Sequence, residues 1–145
     1  MSKIEDFLTT AQEQAIIKAI EVAEKNTSGE IRVHIEKNTE LPPLERALEV
    51  FHLLEMNKTE LRNGVLFYVS VESKKFAILG DEGIHIKVKE NFWDAEKELM
   101  LSYFKKEEFS KGLELAIIEV GNKLKEFFPY QSNDTNELSN EISKG

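Results

Sequence analysis

Residues 62 to 83 read Arg62-Asn63-Gly64-Val65-Leu66-Phe67-Tyr68-Val69-Ser70-Val71-Glu72-Ser73-Lys74-Lys75-Phe76-Ala77-Ile78-Leu79-Gly80-Asp81-Glu82-Gly83. An Asn-Gly turn opens a run that is apolar almost throughout, as expected of a central strand covered on both faces. Glu72 to Lys75 is short enough for a hairpin turn, so Phe76 to Leu79 should return as an antiparallel strand. That strand ends in two carboxylates, Asp81 and Glu82, set between two glycines. Backbone of this kind can turn sharply and present oxygen atoms to a hard cation.

Upstream, Thr10 can cap a first helix, with Glu13 three residues on to complete a capping box. Ile16, Ile20 and Ala23 share its inner face, and Asn26-Thr27-Ser28-Gly29 stops it. Glu30-Ile31-Arg32-Val33-His34-Ile35-Glu36 alternates strictly, which predicts a strand with one well-buried face and His34 on the polar one. Leu41-Pro42-Pro43 opens a second helix, because proline fits the first turn. Leu44, Ala47, Leu48, Phe51 and Leu54 make its inner stripe.

Downstream, a third helix starts around Phe92-Trp93-Asp94, with Leu99, Met100, Tyr103 and Phe104 inward. A fourth carries Leu113, Ala116, Ile117, Val120, Leu124, Phe127 and Phe128 at helical spacing, and Pro129 ends it. The boundaries expected are one domain over residues 1–130 and a polar, aperiodic, disordered tail over 131–145.

This order of elements predicts an α/β fold, a three-layer α/β/α sandwich with a small mixed central sheet flanked by helices on both faces. The helical crossover makes the first two strands parallel, and the hairpin makes the third antiparallel to the second. Asp81 and Glu82 therefore fall at the sheet edge where the first two strands begin, beside Thr27 to Glu30 and Arg62 to Gly64. Open α/β sheets usually take ligands at the opposite edge, outside the carboxyl ends of the strands. The strand ends near Glu36 and Glu72 read as solvated turns, which favours the acidic edge instead.

At 145 residues, 41% hydrophobic and 32% charged, the chain is long enough for one core. A formal net charge of -8 repels nucleic-acid backbones and anionic membranes, so neither is an expected partner. With no cysteine there is no thiolate nucleophile and no cysteine zinc site. Acidic residues interrupt the first eight positions where a signal peptide needs an apolar run, and no stretch approaches a membrane span. The expectation is a soluble protein, cytoplasmic in a bacterium.

Taken together, Ser28-Gly29-Glu30-Ile31, Asn63-Gly64-Val65-Leu66, the hairpin to Gly80-Asp81-Glu82-Gly83 and the last amphipathic helix resemble the TPM domains, over roughly residues 10 to 128. The resemblance implies an α/β/α sandwich, divalent cation binding, commonly of calcium, and acid phosphatase activity in some members. Family roles could carry over only at Asn63, the loop from Gly80 to Gly83, and Asp94. The acidic pair replaces the small or aromatic residue usual in that glycine loop, which strengthens a metal reading and weakens a shared phosphatase site.

Calcium takes 6 to 8 oxygen ligands, so Asp81 and Glu82 need helpers; Asn63, Asp94 and Glu98 are the candidates, with magnesium as an alternative ion. The bland alternative is a solvated turn at Asp81-Glu82 and a helix cap at Asp94. Arg62 is the candidate phosphate-binding cation if the edge hydrolyses phosphate esters. His34, His52 and His85 stand far apart in sequence and read as surface or boundary residues, with His85 nearest the acidic loop. Three readings stay open: a cation-binding regulatory or interaction module, a metal-assisted acid phosphatase, and a protein-binding domain that needs no ion.

Overall fold

Thr9, not Thr10, caps the first helix: in the computed structural model, which describes residues 8–89, 91–130 and 138–144, its hydroxyl accepts from the Gln12 amide at 3.1 Å. The Gln12 side chain returns the bond to the Thr9 amide at 2.9 Å, completing the capping box of α1 (Thr10–Glu24). Adjacent threonines offer the same hydroxyl, so only the backbone decides between them.

Next come β1 (Glu30–Glu36), α2 (Pro43–Leu53), a 3-10 turn (Met56–Lys58), β2 (Gly64–Ser70), β3 (Lys75–Gly80) and a one-turn helix α3 (Glu82–His85). The chain then forms α4 (Asp94–Lys105), α5 (Phe109–Leu124) and β4 (Ser143–Lys144). The sheet order is β3-β2-β1-β4, with β1 parallel to β2 and to β4, and β2 antiparallel to β3. The sandwich and mixed sheet read from the sequence are those observed.

Period-two alternation sends Ile31, Val33, Ile35, Val65, Phe67 and Val69 to one face, where they meet Ile16 and Ile20 of α1 and Leu113, Ala116, Ile117 and Val120 of α5. The other face carries Leu66, Tyr68 and Ala77 under Ala47, Val50 and Phe51 of α2. α1 and α5 approach closely because position 121 is glycine: a Cβ there would stand 2.7 Å from that of Ala23.

The structure corrects three expectations. Leu44 and Leu48 are 52% and 49% exposed, because the single helix on that face needs only a narrow stripe and the inward turn falls on Val50. His34 is 5% exposed, since β4 and α2 enclose the strand face that alternation marks as polar. Of the polar stretch 131–145, residues 138 to 144 run beside β1, with His34 opposite Ser143 and Ile35 opposite Lys144. Leu138 packs on the α2-side core and Ile142 on the other, and these two apolar side chains are what a polar composition hides. The remainder of that stretch lies outside the described residues. Among the described residues, no helix is long and apolar enough to cross a membrane.

Candidate functional site

The loop edge is assembled by backbone bonds. The Asp81 amide donates to Gly64 O at 2.9 Å and the Gly83 amide to Arg62 O at 2.8 Å, which brings the end of β3 against the start of β2. Asn63 Nδ2 donates to Ser28 O at 3.2 Å, and the Glu30 amide to Asn63 O at 3.2 Å, adding the start of β1. The three loops expected to converge do so.

The glycines act differently from the sharp turn the sequence suggested, since among the described residues no glycine has positive φ. Gly83 is needed for closeness: a Cβ there would lie 2.3 Å from Leu61 O and 2.5 Å from Arg62 O.

Asp81 is 5% exposed, and both its oxygens are engaged. Arg62 Nε donates to Oδ2 at 2.9 Å and Nη2 to Oδ1 at 3.0 Å, the paired geometry that guanidinium and carboxylate favour. Oδ1 also accepts from the Glu82 amide at 2.7 Å, capping α3. Glu82 adds a second carboxylate 3.5 Å from Arg62 Nη1. The hydrogen bonds that Arg62 donates to Asp81, against a smaller cost of desolvation, raise the Arg62 pKa, so the guanidinium keeps its charge. Arg62 was the candidate phosphate ligand, and two carboxylates already claim it.

The other candidate ligands stay apart. Asn63 is buried as a strut between two loops, while Asp94 and Glu98 are exposed on α4. Among the described residues, no group of three or more His, Cys, Asp or Glu side chains could hold a metal ion. Beside the Arg62–Asp81 pair lies an open cavity of about 310 Å³, walled by Leu48, Phe51 and Leu79 and flanked by His52 and His85.

At the opposite end of the sheet is a network the sequence did not suggest. Glu36 accepts from Arg46 Nε at 2.9 Å and Nη2 at 3.0 Å, from the Tyr68 hydroxyl, and from His34 Nε2 at 3.1 Å. Burial by itself would raise the Glu36 pKa; the bonds from Arg46, Tyr68 and His34 outweigh it and hold the carboxyl at about 2. Burial, reinforced by the Glu36 bond, pushes Tyr68 up, so the phenol keeps its proton. Burial lowers His34, whose neutral ring donates to Glu36 through Nε2 and accepts at Nδ1 from the Ser143 hydroxyl at 2.9 Å. One sign was available: His34 and Tyr68 are partners in β1 and β2, as are Glu36 and Ser70, so all four share one face.

Glu30, at the start of β1, is buried and accepts from the Leu138 amide at 2.7 Å.

The TPM domain model matches residues 2–128. The NMR structure of the BA42 protein from the psychrophilic bacterium Bizionia argentinensis is 51% identical to this chain and covers 100% of both chains, with a TM-score of 0.92. The solution structure of the N-terminal domain of a P. gingivalis protein is similar in fold, with a TM-score of 0.69 at 14% identity over 88% of this chain and 83% of that one. None of the curated proteins matches the chain.

Proposed function

Because the chain belongs to the TPM domain family, we propose that it works as a regulatory or interaction module whose loop edge responds to a divalent cation, calcium before magnesium. The observation that carries this reading is the Arg62 guanidinium seated between Asp81 and Glu82. It is a cation already held by two carboxylates, and a metal ion exchanged for it would meet the same pair. Such a donor set, completed by water, fits weak exchangeable binding in the range of about 10⁻⁴–10⁻³ M and not an all-protein cage. Asn63 keeps its place between the loops, and Asp94 and Glu98 take no part. Release of Arg62 would alter the charge and order of the edge that a partner reads. Phosphatase chemistry would need a cation free to stabilise phosphoryl oxygens, and Arg62 is committed to Asp81.

The test is an amide-resolved NMR titration of the chelator-treated protein with calcium and, in parallel, with magnesium. Saturable shifts at Arg62 to Gly64 and Gly80 to Gly83 are expected, lost in Asp81→Asn and reached at lower calcium in Arg62→Gln, which removes the competing cation. Absence of saturable shifts at millimolar calcium in both the wild type and Arg62→Gln overturns the reading.

A further inference from the structure

A second cavity lies far from the acidic edge, where the β2–β3 hairpin meets the end of α4. The six residues of β3 put roughly 20 Å between the two places. This cavity, of about 420 Å³, has walls formed by Val69, Val71, Phe76, Leu101, Phe104 and Phe109. That volume falls within the roughly 300–1,000 Å³ of small-molecule sites, and the mostly apolar wall is of the usual kind.

Its rim is cationic. Lys74, Lys75, Lys105 and Lys106 line it, against Glu107 as the one acidic lining residue. In a chain of net charge -8 this is a local reversal of sign. Among the described residues none of the four lysines is in an ion pair, although other exposed lysines find a carboxylate, as Lys58 does at Glu55 and Lys37 at Glu72.

The backbone of the rim is also unusual. Lys74 and Glu107, with φ of 54° and 61°, are two of the four non-glycine residues in the left-handed region among the described residues. Glycine would adopt that conformation at lower cost, so each turn presents a charged side chain at a backbone disadvantage. The cavity lies at the carboxyl end of β2, the edge at which α/β sheets commonly bind ligands.

We propose that this cavity binds an amphipathic carboxylate, an unbranched aliphatic chain seated against Phe76, Leu101, Phe104 and Phe109 with its anionic head among the four lysines. The apolar wall and the unpaired cationic rim together select this class: a neutral apolar molecule would forgo the rim, and a small hydrophilic anion would forgo the wall.

The test is a titration of the full chain with decanoate below its micelle concentration, followed by amide and methyl NMR, with decanol and acetate in parallel. Saturable shifts confined to Val69, Val71, Phe76, Leu101, Phe104 and Phe109 are expected with decanoate, with decanol and acetate each weaker by about tenfold or more. Lys105→Gln combined with Lys106→Gln should weaken decanoate by a similar factor, about tenfold. Leu101→Trp fills the cavity from a side chain that is already 45% exposed, so the fold should persist while binding is lost. Scattered or unsaturable shifts, equal affinity for decanol, or binding indifferent to the lysine substitutions would each overturn the proposal. None of these outcomes bears on the calcium titration at the other end of the sheet.

Discussion

Tyr68 on β2 donates its phenolic hydrogen to Glu36 at the end of β1, joining the two central parallel strands through side chains as well as backbone. Glu36 is then fixed from above by Arg46 of α2, so one carboxylate ties two strands to a helix. Its pKa of about 2 lies below the ordinary 4.5. A depressed carboxylate contributes stability that is fully present above the ordinary value and is lost as pH falls from about 4.5 toward about 2. Thermal unfolding followed across that range should show a falling Tm, and Glu36→Gln should have a flatter acid limb. Arg46→Ala, which leaves Glu36 buried without its main counter-ion, should cost about 3 kcal/mol in denaturant unfolding.

Glu24 behaves in the opposite sense. Burial, helped by repulsion from Glu21, lifts its pKa to about 7, against the Ile31 amide bond and a bond to Asn140. The folded chain therefore holds a proton that the unfolded chain releases, and this contribution to stability declines as pH rises from about 4.5 to about 7. Glu24→Gln keeps an oxygen for the Ile31 amide and should raise Tm at about pH 8 while leaving it nearly unchanged at about pH 4. Equal shifts at both pH values would mean that the proton is not held there.

Glu96 is fully buried, with Lys123 Nζ 2.8 Å from Oε1 and no hydrogen bond at Oε2. Lys123→Met should destabilise by about 3–5 kcal/mol, because it strands a buried carboxylate. The double variant Glu96→Leu/Lys123→Met should recover much of that loss, which chemical denaturation of the set would read directly.

Two glycine exchanges should move stability in opposite directions. Gly121→Ala improves helix propensity by about 1 kcal/mol but drives a methyl into Ala23, and overpacking of about 1–3 kcal/mol should win. Lys74→Gly relaxes a left-handed hairpin residue and should stabilise by about 1 kcal/mol. Urea midpoints at equal slope would measure both.

Local periodicity was enough to read the sandwich, the strand directions and the convergence of the Asn63, Gly29 and Asp81 loops. These follow from side-chain alternation and crossover handedness, which are properties of short segments. The loops of Arg62 and Asp81 were read as neighbours, but the two-bond pairing of guanidinium with carboxylate was not legible, because alternation and crossover rules place backbone and not side chains. Glu36 was misread for a related reason: its partners come from α2 and β2 as well as from β1, and alternation in β1 reports neither neighbour. The hairpin lysines looked like ordinary solvated charge until α4 ended beside them.

The close packing of α1 against α5 has a consequence for biosynthesis. Leu113, Ala116, Ile117 and Val120 are the lid of the core face, and they are made after all three of the longer strands. A nascent chain that has released residues 10 to 100 therefore carries Ile31, Val33, Val65 and Phe67 on a face it cannot yet seal. Sealing waits for contacts such as that between Thr27 and Phe128, 101 residues apart. Topology of this kind slows folding and leaves an apolar surface for chaperones to guard until the final helix is released from the ribosome.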